Sequence, residues 1–151
     1  MSPQRSCLVF LDFDGVLRRK DATPRCFEKP LLDLFESAVR RIPGAEIVIT
    51  SSWRDIAGLK ELRRLFSPDV AQRIVGVTPF VPGGRYREVL AYRSRAAAEG
   101  RPWVAVDDDP VSYPSGIPLI LVDPATGFTE KDADRLVEMA ANSPLYAPEP
   151  T

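Results

Sequence analysis

Residues 7–17 read CLVFLDFDGVL, from Cys7 to Leu17. The first part, through Asp12, is apolar without alternation, the pattern of a parallel strand buried on both faces. Two carboxylates follow, Asp12 and Asp14, separated by one apolar residue. The chain must then turn sharply at Gly15, which tolerates a positive φ. If strand geometry continued to Asp14, both carboxylates would point the same way.

Outward from this stretch, apolar runs alternate with helical patterns, as in a succession of βαβ units. Residues 27–41 predict a helix with Leu31, Leu34, Phe35, Ala38 and Val39 on one stripe, ended by Pro43 and Gly44. A second strand is expected at 45–50 (AEIVIT). A second helix is expected at 54–66, with Ile56, Leu59, Leu62 and Leu65 inward. A weaker strand spans 73–77, a Pro/Gly loop 79–84, and a helix 87–99. Strands at 103–107 (WVAVD) and 118–122 (PLILV) follow. Thr129 and Asp132 form the pattern of a capping box opening a last helix to about Ala141. The fold class is therefore α/β, a three-layer Rossmann-like domain around a central parallel sheet. Residues 1–142 read as one domain and 143–151 as a Pro-rich tail.

Composition narrows the chemistry. The chain has 151 residues, 44% hydrophobic and 27% charged, which suits one ordinary globular domain. No apolar run approaches the roughly 20 residues that cross a bilayer. The short run after the N-terminus has neither the length nor the cleavage pattern of a signal peptide, so a cytoplasmic protein with no membrane partner is expected. There is no histidine, which excludes Ser-His and Cys-His pairs and imidazole zinc sites. A cysteine-based phosphatase needs an arginine six positions after its cysteine; Cys7 has Phe13 there and Cys26 has Leu32. Any chemistry must therefore come mainly from carboxylates, hydroxyls, Arg/Lys and a metal ion.

Three predicted strand ends are polar: Asp12, then Thr50 with Ser51 and Ser52, then Asp107 with Asp108 and Asp109. In an open parallel sheet the carboxyl ends of strands line the ligand crevice. Singly, these are ordinary turn or cap residues; together on one edge they make a site. Converging carboxylates repel unless a cation sits among them, and an oxygen-only donor set suits Mg²⁺.

With those residues in view, the chain resembles the haloacid-dehalogenase-like (HAD) phosphatases. LDFDGVL resembles their first signature, ITSS at 49–52 the second, and VAVDDDP at 104–110 the acidic fourth. TSSWR at 50–54, VTP at 77–79, R-x-x-E-V at 85–89 and D-P-x-x-G-F-T at 123–129 resemble, more narrowly, the HAD domain of Swiss Army Knife RNA-repair proteins. The resemblance implies that Asp12 is the nucleophile, forming an aspartyl-phosphate, and Asp14 the general acid and base. Thr50 would hold a phosphoryl oxygen, with Ser51 as the alternative. Mg²⁺ would sit among Asp12, the Asp14 backbone carbonyl, Asp107 and Asp108, with open which of the last two ligates directly and with Asp109 a weaker candidate. The family's basic residue is usually Lys; here Arg85 fits the narrower pattern, with Arg87 as the alternative. Arg54 has two readings, a substrate contact and a surface salt bridge.

The gaps at 14–50 and 67–84 are too short for a cap domain, so an open site is expected. Residues 54–101 hold ten Arg/Lys against five Asp/Glu, and with Trp53 and Tyr86 they suit an RNA or DNA terminal phosphate. The alternatives are a non-catalytic regulatory module of the same fold and a phosphatase or phosphotransferase for a small metabolite. A receiver-like signalling domain is disfavoured, because no Lys follows the fifth strand and no acceptor Asp ends the third.

Overall fold

In the computed structural model, residues 6–95 and 97–142 are described. The expected tail at 143–151 lies outside them. The apolar runs form five strands: β1 Leu8–Leu11, β2 Glu46–Ile49, β3 Ile74–Val77, β4 Trp103–Asp107 and β5 Leu119–Leu121. All pair in parallel, in the order β3-β2-β1-β4-β5. The chain crosses from one half of this order to the other between β3 and β4. The crevice of such a sheet therefore opens between the carboxyl ends of β1 and β4, where the direction of winding reverses.

Strand alternation divides the core. Val9, Leu11, Ile47, Ile49, Val104 and Val106 face one side. There they meet the helices α1, Lys29–Arg40, and α5, Glu130–Ala141. Leu8, Phe10, Val48 and Ala105 face the other side, against Val89 of α4, Arg85–Arg93, and Trp103. Both faces of β1 are buried, which is why its sequence does not alternate. Thr129 caps α5 as expected: its hydroxyl accepts from the Asp132 N–H at 3.2 Å, and the Asp132 carboxylate accepts the Thr129 N–H at 2.9 Å.

Two helices differ from their sequence pattern. The helix expected at 54–66 is two short pieces, a 3-10 turn Ser52–Asp55 and α2 Leu59–Arg63, and a further short helix, α3 Pro68–Ala71, follows it. Gly58 occupies the N-cap of α2, so the backbone restarts there within the run, and Pro68 starts α3. With the helical phase lost, Ile56 is 82% exposed and Leu65 38%, while Leu62 stays buried. The helix expected at 87–99 begins two residues earlier and ends at Arg93. Gly84, at φ 94°, is its N-cap, which makes Arg85 the first residue of α4. No helix among the described residues is long and apolar enough to cross a membrane.

Candidate active site

Asp12 stands one residue past β1, and its backbone N–H donates to the Val106 carbonyl of β4 at 3.0 Å. Asp107 is the last residue of β4, and its own carbonyl receives the Val122 N–H. This ladder brings the two carboxylates and that of Asp108 together: one ligand atom from each lies within 4.8 Å of the others. Asp12 and Asp107 are buried and Asp108 is partly so. Burial, reinforced by Asp107 and Asp108, raises the Asp12 pKa well above the ordinary carboxylate value despite the neighbouring Arg85. Burial and then Asp107 raise that of Asp108 too. Such a cluster is costly without a cation, and its donors are all oxygen, so the residues fit Mg²⁺.

Arg85 supplies one positive charge. Its Nη1 lies 3.1 Å from Asp12 Oδ1 and 2.9 Å from Asp107 Oδ2. Burial disfavours its charge, but Asp12 and Asp107 more than offset this and hold its pKa above the usual value. Arg87, two residues on, is exposed. Of the two arginines, the structure brings Arg85 to the carboxylates, because the helix starts there. Tyr113 carried no sequence signal, yet its hydroxyl donates to Asp107 Oδ2 at 3.3 Å from a buried position. Burial and the Asp107 charge raise its phenol pKa. Asp109 turns away from the cluster: its carboxylate accepts from the Val111 N–H and the Ser112 hydroxyl.

Asp14 does not share the direction of Asp12. β1 ends at Leu11, and Val16 and Leu17 both donate to the Phe13 carbonyl in a tight turn, so strand alternation stops before Asp14. Its carboxylate meets the following loop instead. Arg18 Nη1 donates to Oδ1 at 2.9 Å; Arg25 Nη2, at 3.0 Å, and Trp53 Nε1, at 3.1 Å, donate to Oδ2. Burial opposes the Asp14 charge, but these bonds outweigh it and leave the pKa below its ordinary value. Trp53 is held in place by an aromatic cluster in which Phe13 makes edge contacts with Phe27 and Trp53.

The polar end of β2 divides its labour. Thr50 is fully buried, and among the described residues its hydroxyl has no hydrogen-bond partner. Ser51 is occupied as the N-cap of the 3-10 turn, its Oγ accepting from the Trp53 N–H at 3.2 Å. Arg54 is neither a surface salt bridge nor aimed at the carboxylates. Its side chain is 3% exposed, pairs with Glu88 at 2.8 Å, and donates to the carbonyls of Thr50, Ser51 and Thr78. It thus ties the ends of β2 and β3 to α4, which also explains the Glu88 of the R-x-x-E-V pattern.

Some cations of the basic segment 54–101 are committed in the same way. Arg63 donates to the Ile74 carbonyl, Arg73 to those of Val39 and Ile42, and Arg101 pairs with Glu46. Lys60, Arg64, Arg87 and Arg95 of the same segment are exposed. On the loop after β1, Arg19, Lys20 and Arg25 are exposed; Arg25 pairs with Asp14 and Arg19 with Glu28.

The chain matches the family described as "HAD domain in Swiss Army Knife RNA repair proteins" over residues 8–133. No curated protein and no solved structure matches it. The chain therefore belongs to that HAD family.

Proposed function

From this membership we propose that the chain is a phosphomonoester hydrolase acting through an aspartyl-phosphate on Asp12. The observation that carries it is the convergence of Asp12 with Asp107, Asp108 and Arg85 at one strand-end crevice. A carboxylate oxygen of Asp12 attacks phosphorus, a new O–P bond forms, and the ester P–O bond breaks. Asp14, whose donors favour its ionised form in the substrate-free site, takes up a proton from solvent and gives it to the leaving alkoxide. Water then attacks the aspartyl-phosphate phosphorus, Asp14 takes its proton, and inorganic phosphate leaves with Asp12 restored.

Arg85 lies against the nucleophile, where it stabilises charge on the transferring phosphoryl group. The unpartnered Thr50 hydroxyl supplies a donor for a phosphoryl oxygen. Asp12, Asp107, Asp108 and the Asp14 carbonyl would hold Mg²⁺. When bound, it neutralises charge on the phosphate and polarises it.

For the substrate we propose a nucleic-acid terminal phosphate. The family's description names RNA repair, and among the described residues the segments at 14–50 and 67–84 contain no inserted cap. The exposed cations on the loop after β1 suit a polyanion. The cytoplasm is the proposed location, which cell fractionation checks.

The test is Mg²⁺-dependent phosphate release by wild type and Asp12→Asn. Substrates are an aryl phosphate and oligonucleotides bearing a 3′- or 5′-phosphate. Release is expected from wild type, lost on chelation and in Asp12→Asn. Release that survives in Asp12→Asn sinks the mechanism, and indifference to oligonucleotide ends sinks the substrate class.

A further inference from the structure

The general acid of the proposed reaction is not free. Asp14 Oδ2 receives Arg25 and Trp53, and Oδ1 receives Arg18. A carboxyl that is to donate a proton to a leaving group needs an oxygen open to that group. The three partners differ in how easily they can leave. The Arg18 side chain is 8% exposed and also donates to the Ala22 carbonyl. Trp53 packs against both Phe13 and Phe27. Arg25 has a 61% exposed side chain, and its guanidinium stands 5.7 Å from the Trp53 ring centre.

The loop that carries Arg25 is anchored without it. The Lys20 N–H donates to the Pro124 carbonyl, the Glu28 N–H to that of Leu17, and Arg19 is held by the Glu28 carboxylate. Moving Arg25 therefore requires a side-chain rotation, not an opening of the loop. Arg25 reaches Asp14 through Nη2 and one oxygen, the other oxygen being taken by Arg18, whereas a free phosphate offers its planar fork two oxygens.

We propose that Arg25 is a specificity gate. In the absence of substrate it occupies Asp14 Oδ2; a second phosphate group, close to the one being cleaved, draws it away and opens that oxygen to the leaving group. The enzyme would then favour phosphomonoesters that carry a further phosphate over those with one. This rests on the phosphohydrolase function proposed above and narrows its substrate class. A strand end and a small nucleoside bisphosphate share that chemistry, so both are tested.

The experiment measures kcat and KM for wild type, Arg25→Ala and Arg25→Lys with Mg²⁺. The three probes are an aryl phosphate, a nucleoside 3′,5′-bisphosphate and a short oligonucleotide with one terminal phosphate. Wild type should favour the probes with a second phosphate. Arg25→Ala should raise KM for them by about ten- to a hundredfold, the loss expected for a charge-assisted contact. It should also raise kcat on the aryl phosphate, since the acid is no longer held. Arg25→Lys should recover part of the KM. An effect on the oligonucleotide alone assigns the gate to strand ends, and one on both assigns it to any second phosphate.

Equal loss of kcat on all three probes overturns the gate and makes Arg25 a support for the loop. Wild type that ignores the second phosphate, while still needing Asp12, overturns the gate and leaves the hydrolase standing. No phosphate release from any probe brings down both. Because Arg25 is exposed, its thermal midpoint serves as the folding control and should not move.

Discussion

Gly15 lies directly against the side chain of Asp108: a Cβ at residue 15 would stand 2.2 Å from Oδ2 and 2.9 Å from the Asp108 Cβ. Its φ of +81° is also one that other residues adopt only under strain. The turn that follows β1 and the acidic end of β4 are thus built to touch. Gly15→Ala should displace Asp108 and cost roughly 1–2 kcal/mol from the backbone alone. Urea unfolding gives the stability loss. The rise in thermal midpoint on adding Mg²⁺, expected for wild type, should shrink in the variant. An unchanged Mg²⁺ response would show that Asp108 is not a ligand.

Arg85 and Arg87 should separate cleanly. Arg85→Ala removes a guanidinium that touches both Asp12 and Asp107, and kcat should fall about 10²- to 10³-fold. Arg87→Ala changes an exposed side chain and should leave kcat within about twofold, since surface changes are usually small. Steady-state kinetics on an aryl phosphate decides it, and equal losses would refute the assignment to Arg85.

Thr50→Val deletes a buried hydroxyl that has no protein partner, so stability should hold or rise slightly. Activity should nonetheless drop about 10²-fold, as for other phosphoryl-oxygen donors. Ser51→Ala should do the reverse, costing about 1 kcal/mol as a lost cap with a smaller effect on rate. Chemical denaturation and initial rates on the same preparations check both halves.

Arg54→Ala should act through stability. It strips Glu88 of its partner at a nearly buried site and should cost about 3–5 kcal/mol. The double variant with Glu88→Gln should lose less than the sum of the two single losses. A normal unfolding midpoint with a raised KM would instead restore Arg54 as a substrate contact.

The sheet was legible because its physics is local and repetitive. Five apolar runs with turn residues between them define five strands, and burial on both faces explains why β1 lacks alternation. The capping box of α5 was legible for the same reason, since both partners lie within four residues. The helix at 54–66 misled because Leu62 and its apolar neighbours keep a helical spacing across Gly58, although the backbone restarts there. Side-chain spacing carries no record of where the hydrogen-bond ladder breaks.

By itself, the sequence determined the fold class, the family signatures and the set of carboxylates at the strand ends, because strand ends of one parallel sheet must share an edge. Tertiary structure alone decided how that set is divided. Asp12, Asp107 and Asp108 converge through the β1–β4 pairing, whereas Asp14, only two residues from Asp12, is turned toward Arg18, Arg25 and Trp53. It also put Arg85 against Asp12, Tyr113 against Asp107 and Arg54 against Glu88. These choices depend on the direction in which each side chain leaves its element. That direction is set by where β1 stops and α4 begins, and by contacts between segments tens of residues apart.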